Sequence, residues 1–529
     1  MEPNYGILSI IPAIICIGLA LYTKRTVLSL MIGSYIGVVI LTGWNPLAAI
    51  PHFLVDYMYP TVVGSTGNFK TLLIIIIIQG FVRLLKITGA GEAMATWVKG
   101  FIKSKRSAEV LTCAAGFAFI YTEPCFILGA IMRPVTEAFN VAKVKLAYIC
   151  DSLGCNMAAL SPICSYGPYY TGLIATQIAA LGLSLNEWSV YAKYIPTNFY
   201  SLVAIVLAWY VCATGKDVGK MYLAEKRASE TGHLIGPKDD PIVKELPDEA
   251  ADSNVTYRKR NFIIPMATMF IALIACLLYT GNVIENGTQV IRNWDITTSI
   301  IVGFIAASFA AIGVGVADKK FKVTEGFSEW IKAFQNAMEV LCIMVLAWTL
   351  SSVSGALGLK FFVAGIVEAT GFPPAILPAI IFLFGAIISF ATGSSWGTTA
   401  LLMPLAVPVC YAYGIDIHIS AAAAIAGGLF GDHCSPISDT TIKASMASMS
   451  DHPQHVATQL PYALSVGVAA FVAFIVSGLT NNNLIGLVVA LVIAIGSIEV
   501  QHRMAKTKYA GYDFSTEEVN PLILEGAAK

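Results

Sequence analysis

Residues Gly431 to Ser448 read Gly-Asp-His-Cys-Ser-Pro-Ile-Ser-Asp-Thr-Thr-Ile-Lys-Ala-Ser-Met-Ala-Ser. Two carboxylates, Asp432 and Asp439, an imidazole, His433, and a row of hydroxyls lie between apolar runs long enough to be membrane helices. An ionisable side chain at bilayer depth costs several kcal/mol unless it faces protein or a water-filled cavity, so this stretch reads as a functional site inside a membrane protein. Pro436 removes a backbone donor and breaks the helix, which leaves free carbonyls and amides beside the carboxylates. A break there draws Asp432 and Asp439 towards one cavity, where Ser435, Ser438, Thr440 and Thr441 offer the hard oxygens that suit sodium. The competing role for Asp439 is to cap the second half-helix.

Working outward, apolar residues make up 56% of 529 positions and charged residues 12%, far from the balance of a soluble chain. The reading is an all-α polytopic membrane protein. Net charge is zero and no basic run is interleaved with aromatics, so the composition offers nothing to nucleic acid. The 11 cysteines fall mostly inside apolar segments without metal-ligand spacing and read as small core residues. The N-terminus lacks a basic region before its apolar run, and no removable signal peptide is expected. No nucleophile constellation, metal triad or phosphate loop argues for an enzyme, and no cofactor is implied.

A span needs about 20 apolar residues. Measured that way, the first half has spans at Gly6–Tyr22, Val27–Leu41, Thr71–Ile87 and Tyr194–Ala213. Two irregular segments lie between the last two: a re-entrant hairpin over 108–135, broken at Tyr121-Thr122-Glu123-Pro124, and a broken helix over 146–163 containing Asp151, Asn156 and Ser161-Pro162. A polar linker follows over 215–260. The second half repeats the order, with spans at Phe262–Tyr279, Thr298–Val316 and Met338–Val353, a hairpin over 375–410, a broken helix over 418–448 and a closing span at Leu460–Leu479. An extra helix at Leu484–Val500 and a polar tail complete residues 481–529.

Overlaying Phe119–Pro134 on Phe390–Leu405 pairs Met132 with Met403, and Ser161-Pro162-Ile163 matches Ser435-Pro436-Ile437. Corresponding interrupted segments in two halves point to a transporter's substrate site. With the N-terminus outside, Lys24-Arg25, Lys99, Lys103, Lys105, Arg106, Arg133, Lys143, Lys145, the linker, Lys319, Lys320, Lys322, Arg503, Lys506 and Lys508 fall on the cytoplasmic side and only Lys70, Lys193, Arg292 and Lys360 clearly outside, provided both hairpins return to the face they enter. Each half, 1–214 and 261–480, then crosses five times. Five is odd, so the repeats are inverted and the C-terminus is cytoplasmic.

Candidate ligands on the second hairpin are Thr392, Gly393, Ser394 and Ser395, whose small side chains let backbone approach an ion, with Trp396 read as packing. On the first half they are Thr122, Glu123, Asn156 and Ser161. Glu123 and Asp432 are candidate proton carriers, as is His433, although a hydrogen-bonded packing role suits His433 better. A salt bridge from Glu123 to Arg133 or Lys145 is the bland alternative for that carboxylate. Asp151 reads as lying near the cytoplasmic end of its helix, and Glu339 as interfacial.

The motif Gly-Asp-His-Cys-Ser-Pro-Ile-Ser-Asp-Thr-Thr, preceded by Ala-Thr-Gly-Ser-Ser-Trp-Gly-Thr, resembles the signature of the NhaC family of sodium/proton antiporters, within the ion-transporter superfamily. The resemblance implies a scaffold of outer helices, a mobile unit of hairpins and broken helices moving like an elevator in a cell-membrane homodimer, and Asp432, Ser435, Asp439 and Thr440 as the ion-binding motif, with Asp432, Asp439 and Ser435 holding sodium. The family also includes exchangers of organic acids. The first reading is therefore sodium/proton exchange. The alternative is sodium-coupled transport of a small organic solute, an amino acid or a hydroxy or dicarboxylic acid, recognised by Glu123, Tyr121, Tyr166 and Tyr169.

Overall fold

The computed structural model describes residues 5–23, 25–64, 66–90, 93, 102–118, 120, 124–241, 258–280, 295–359, 362 and 373–514. Among these no strand occurs. Among the described residues seven helical stretches, Phe199–Thr231, Arg260–Thr280, Ile296–Ala317, Pro374–Thr392, Ser395–Ala412, His452–Thr480 and Asn483–Lys508, are long and apolar enough to cross a bilayer, and the pair Val27–Leu41 and Pro46–Val63, bent by 109°, makes up to eight. Ile271 and Ile274, and Val488 and Val492, stand exposed on two of these helices, as a lipid-facing surface requires.

In chain order the first helices are α1 (Ile11–Thr23), α2 (Thr26–Leu41) and α3 (Thr66–Ile87), followed by α4 (Lys105–Ala118) and α5 (Pro124–Ala138) in the first hairpin region. Then come α6 (Lys143–Leu160) and α7 (Tyr166–Ala180), separated at Ser161-Pro162, the short α8 (Glu187–Tyr194), α9 (Phe199–Thr214) and α10 (Gly219–Thr231). The second half has α11 (Arg260–Thr280), α12 (Ile296–Ala317), α13 (Val323–Lys332) and α14 (Met338–Ala356). It continues with α15 (Leu377–Thr392), α16 (Ser395–Ala412), α17 (Ile417–Cys434), α18 (Asp439–Ser448), α19 (His452–Thr480) and α20 (Asn483–Lys508). Each segment expected to be a span, hairpin arm or broken helix carries helix. The Glu123 tip, with Tyr121 and Thr122, lies outside the described residues.

The second hairpin turns in two residues. Gly393 closes α15 in the left-handed region at φ +66, and Ser394 caps α16 by accepting from the Gly397 N–H at 3.1 Å. A Cβ at Gly393 would stand 2.6 Å from the Ile437 carbonyl oxygen, so only glycine lets this tip touch the α17–α18 break. Along α15 and α17 the backbones meet directly: a Cβ on Gly427 would collide with the Phe382 carbonyl, and one on Gly431 with that of Ala386. Small residues permit this approach where lipid gives helices no hydrophobic reason to associate.

Each hairpin packs on the broken helix of its own half, α4 and α5 on α6, and α15 and α16 on α17. Each also crosses to the other half, α5 onto α18 and α16 onto α7. Gly129 of α5 makes the first crossing tight, since its Cβ would lie 2.7 Å from that of Ala447.

The expected linker is partly ordered helix. Lys105 pairs with Glu225 at 2.6 Å, Glu225 accepts the Ala142 N–H at 2.8 Å, and Lys145, fully buried, pairs with Asp217, which also receives the Tyr462 hydroxyl at 3.1 Å. These contacts hold α10 under α6 and α19. Lys145 is thereby committed to Asp217, and Arg133 to Glu137 at 4.0 Å and to Met449.

Candidate ion site at the helix break

Asp432 lies in the last turn of α17, 2% exposed, with no ion-pair partner among the described residues. The Ser395 hydroxyl donates to its Oδ2 at 3.0 Å, which ties the carboxylate to the hairpin tip. Its Oδ1 is buried with no hydrogen-bond partner among the described residues. A buried carboxylate oxygen left open is costly, and a cation or proton is what it lacks.

The break itself is held by Ser435, whose hydroxyl donates to the Phe390 carbonyl at 2.8 Å. Ser438, not Asp439, is the N-cap of α18, accepting from the Thr440 and Thr441 N–H groups at 3.3 and 3.5 Å. A hydroxyl on the shorter serine reaches back to these amides while the next residue already points outward. Asp439 therefore occupies the first helical position, its side chain 61% exposed and paired with Lys443 at 2.5 Å. Its carboxylate is thus in contact with solvent and answered by a lysine, while that of Asp432 is buried. Thr440 is buried and shares a 2.9 Å hydroxyl contact with Ser438.

His433 uses both ring nitrogens, Nδ1 with the Tyr200 hydroxyl at 2.7 Å and Nε2 with Ser152 at 3.1 Å, while its carbonyl receives Gln459 at 2.8 Å. That arrangement pins α17 to α9, α6 and α19. Thr392 donates to the Ile388 carbonyl of its own helix at 2.9 Å. Asn156 donates to the Ser152 carbonyl at 2.8 Å and keeps a buried Oδ1 with no partner among the described residues; Ser161 accepts from the Ile163 N–H at 3.3 Å in the α6–α7 break. Trp396 is wedged between Tyr166 and Tyr169, with ring centroids 4.3 and 4.4 Å away, and its carbonyl receives the Tyr169 hydroxyl.

A second carboxylate belongs to this region and was misplaced by sequence reasoning. Asp151 is fully buried at the middle of α6; its Oδ2 accepts from Thr441 at 2.9 Å and from Gln459 at 2.6 Å, and its Oδ1 has no partner among the described residues. Gln459 is oriented in turn by His455 at 2.9 Å, and His452 reaches the Pro436 carbonyl at 2.7 Å. The signal for Asp151 was the start of its helix at Lys143, which puts residue 151 halfway along. For Gln459 and His455 it was Asp451, which caps α19 by accepting from the Gln454 N–H at 2.8 Å and so begins the helix two turns before the apolar run.

The model of the Na+/H+ antiporter family matches residues 157–479, a stretch that contains the Asp432 break and the second hairpin. The chain belongs to the Na+/H+ antiporter family. It is a multi-pass membrane protein and a secondary transporter, and the NhaC resemblance of the 431–441 motif is borne out. An uncharacterized protein of Haemophilus influenzae is 30% identical over 90% of this chain and 92% of its own. The malate-2H(+)/Na(+)-lactate antiporter of Bacillus subtilis is 25% identical over 41% of this chain and 44% of its own, and the Na(+)/H(+) antiporter NhaC of Alkalihalophilus pseudofirmus 29% identical over 30% and 33%. The solved YdaH transporter of Alcanivorax borkumensis shares the fold, with a TM-score of 0.53 at 14% identity over 81% of this chain and 90% of that one.

Proposed function

We propose that this antiporter-family chain exchanges sodium for protons at Asp432, in the manner of NhaC, by carrying the site between the two membrane faces in an elevator-like movement. The observation that carries the reading is the Asp432 carboxylate, buried between a hairpin tip and a helix break, with one oxygen held by Ser395 and the other unpartnered. A bare carboxylate inside hydrocarbon is unfavourable, and either Na+ or H+ neutralises it. The loaded site moves and the empty one does not, which makes the exchange obligatory. Ser395, Ser435 and Thr440 surround the ion, Asn156 and Ser161 contribute from the α6–α7 break, and Asp151 provides a second acidic position.

In this reading residues 1–214 and 261–480 are inverted repeats of five crossings and a hairpin each, with the N-terminus outside, the C-terminus in the cytoplasm and two chains forming a dimer in the cell membrane. The crossed packing of α5 on α18 and α16 on α7 supports the repeat, because an inverted pair related by a two-fold axis in the membrane plane interlocks in that way. The test is sodium-driven proton movement in proteoliposomes. Asp432→Asn is expected to abolish it, and normal sodium-dependent exchange in that variant removes Asp432 from the site.

One observation favours the second reading, coupled transport of an organic solute. A cavity of about 430 Å³ lies between α3, α7 and α14, lined by Thr61, Asn68, Thr176, Glu187, Ser351 and Ser352. Its size and its single carboxylate suit a small solute bearing an amine. Sodium-dependent uptake of a labelled amino acid that Glu187→Gln weakens would establish this reading, and uptake unaffected by the substitution would remove the cavity from it.

A further inference from the structure

Next to the ion site, α5 and α6 bring two thiols and a carboxylate together. Cys125 Sγ and Cys155 Sγ are 3.8 Å apart, and an Asp151 oxygen lies with them so that the three ligand atoms are within 4.8 Å of one another, all buried. Residue spacing does not reveal this trio, because Cys125 and Cys155 are on different segments without ligand spacing. Gly154 makes the approach possible: any side chain there would occupy the position of the Cys125 sulfur. The Asp151 carboxylate that joins the cluster has one oxygen that no described residue satisfies.

We propose that Cys125, Cys155 and Asp151 form a binding site for a thiophilic divalent d10 cation, Zn2+ or Cd2+. Two sulfurs on a tetrahedral zinc with bonds of about 2.3 Å stand about 3.8 Å apart, which is the separation the two cysteines already have. Small torsional changes bring the Asp151 oxygen to bonding distance, and water fills the fourth position. The balance is simple: two S–H bonds break, two metal–sulfur bonds form, and two protons leave for solvent. The charge of the trio is unchanged, since one divalent cation replaces two protons. The site therefore admits the ion without adding net charge to the membrane interior. Cys125 occupies the first turn of α5, so a bound ion fastens the start of that helix to α6.

The test is binding and does not depend on the transport reading. The full-length protein in lipid nanodiscs, kept under reducing conditions, is titrated with Cd2+ while thiolate-to-cadmium charge-transfer absorption and released protons are followed. The wild-type chain is expected to take up one ion more than Cys125→Ser/Cys155→Ser, with two protons released. Cys410→Ser, which removes a buried thiol outside the trio, is expected to bind as the wild type does. Asp151→Asn keeps both thiols and is expected to retain the absorption with affinity lower by at least about tenfold. Equal Cd2+ uptake by the wild type and the double variant overturns the proposal, and so does unchanged affinity in Asp151→Asn.

Discussion

Replacing Ser395 by alanine removes the donor that reaches Asp432 Oδ2 at 3.0 Å and leaves the carboxylate buried as before. A hydrogen bond to an ionised acceptor is roughly twice as strong as one to a neutral acceptor, about 2 against about 1 kcal/mol. In the proposed exchange sodium binds the ionised carboxylate, whereas the proton-loaded site is a neutral acid, so the serine favours the sodium form by about 1 kcal/mol. Its loss shifts the competition towards protons by about fivefold. In proteoliposomes the sodium concentration for half-maximal exchange is expected to rise about fivefold at mildly acid pH, where protons compete. The gap narrows as pH rises and protons become scarce, while the maximal rate changes little. Ser395→Thr keeps the hydroxyl and is expected to restore most of the affinity. An unchanged half-saturating sodium concentration in Ser395→Ala at acid pH refutes the assignment of Ser395 as the group that biases Asp432.

Other outcomes follow from the polar groups around this centre. Gln459→Leu removes the donor at 2.6 Å from Asp151 and the one at 2.8 Å to the His433 carbonyl, and exchange is expected to fall at least about tenfold at saturating sodium, read as initial proton flux. Lys145→Met leaves Asp217 buried without its cation and is expected to cost about 3–5 kcal/mol, seen as a lower thermal unfolding temperature in detergent. Lys145→Met/Asp217→Asn removes both charges and is expected to recover a large part of that loss; a double variant less stable than the single one contradicts the pairing.

The architecture was legible because lipid imposes a severe rule: every span must be a continuous apolar helix, and every exception is local and chemically marked. Pro436 and Pro162 marked the breaks, and each lies between two helices; Gly393 and Ser394, read as candidate ligands, prove to form the turn between α15 and α16. Lateral relations were not legible. Whether Asp439 faced Asp432 or solvent depended on which residue capped α18, and Ser438 and Asp439 are both good caps on propensity alone. Asp151 was mislocated because a lysine pair at 143 and 145 looked like a membrane edge, whereas Lys145 is drawn into the protein by Asp217 and the helix continues past it on both sides. The helix α10 lay hidden in a polar stretch because it is held by the Lys105–Glu225 ion pair with α4 and by the Lys145–Asp217 pair just before its first turn, which periodicity does not reveal.

Some described carboxylates near the hairpins are answered by a fixed cation, whereas Asp432, Asp151 and Glu109, a buried residue of α4 that also keeps an open oxygen, form no ion pair among the described residues. Asp217 has Lys145, Glu225 has Lys105 and Asp439 has Lys443; the first two pairs hold elements together, and the third lies on the exposed face of α18. Asp432 and Asp151 have hydroxyl and amide donors instead, and each keeps an open oxygen. The difference matters for transport, because a lysine beside either group would neutralise it permanently and leave no place for a mobile ion. Donor hydrogen bonds lower the cost of the charge without cancelling it. The first turn of α18 lies beside both: Ser438 caps it next to the Asp432 break, and Thr441, one turn of hydrogen bonding away, donates to Asp151 at 2.9 Å. A movement of α18 therefore changes the surroundings of both acids together. α18 also packs on the first hairpin, where Gly129 of α5 meets Ala447, so the same short helix touches both acids and an arm of the first half.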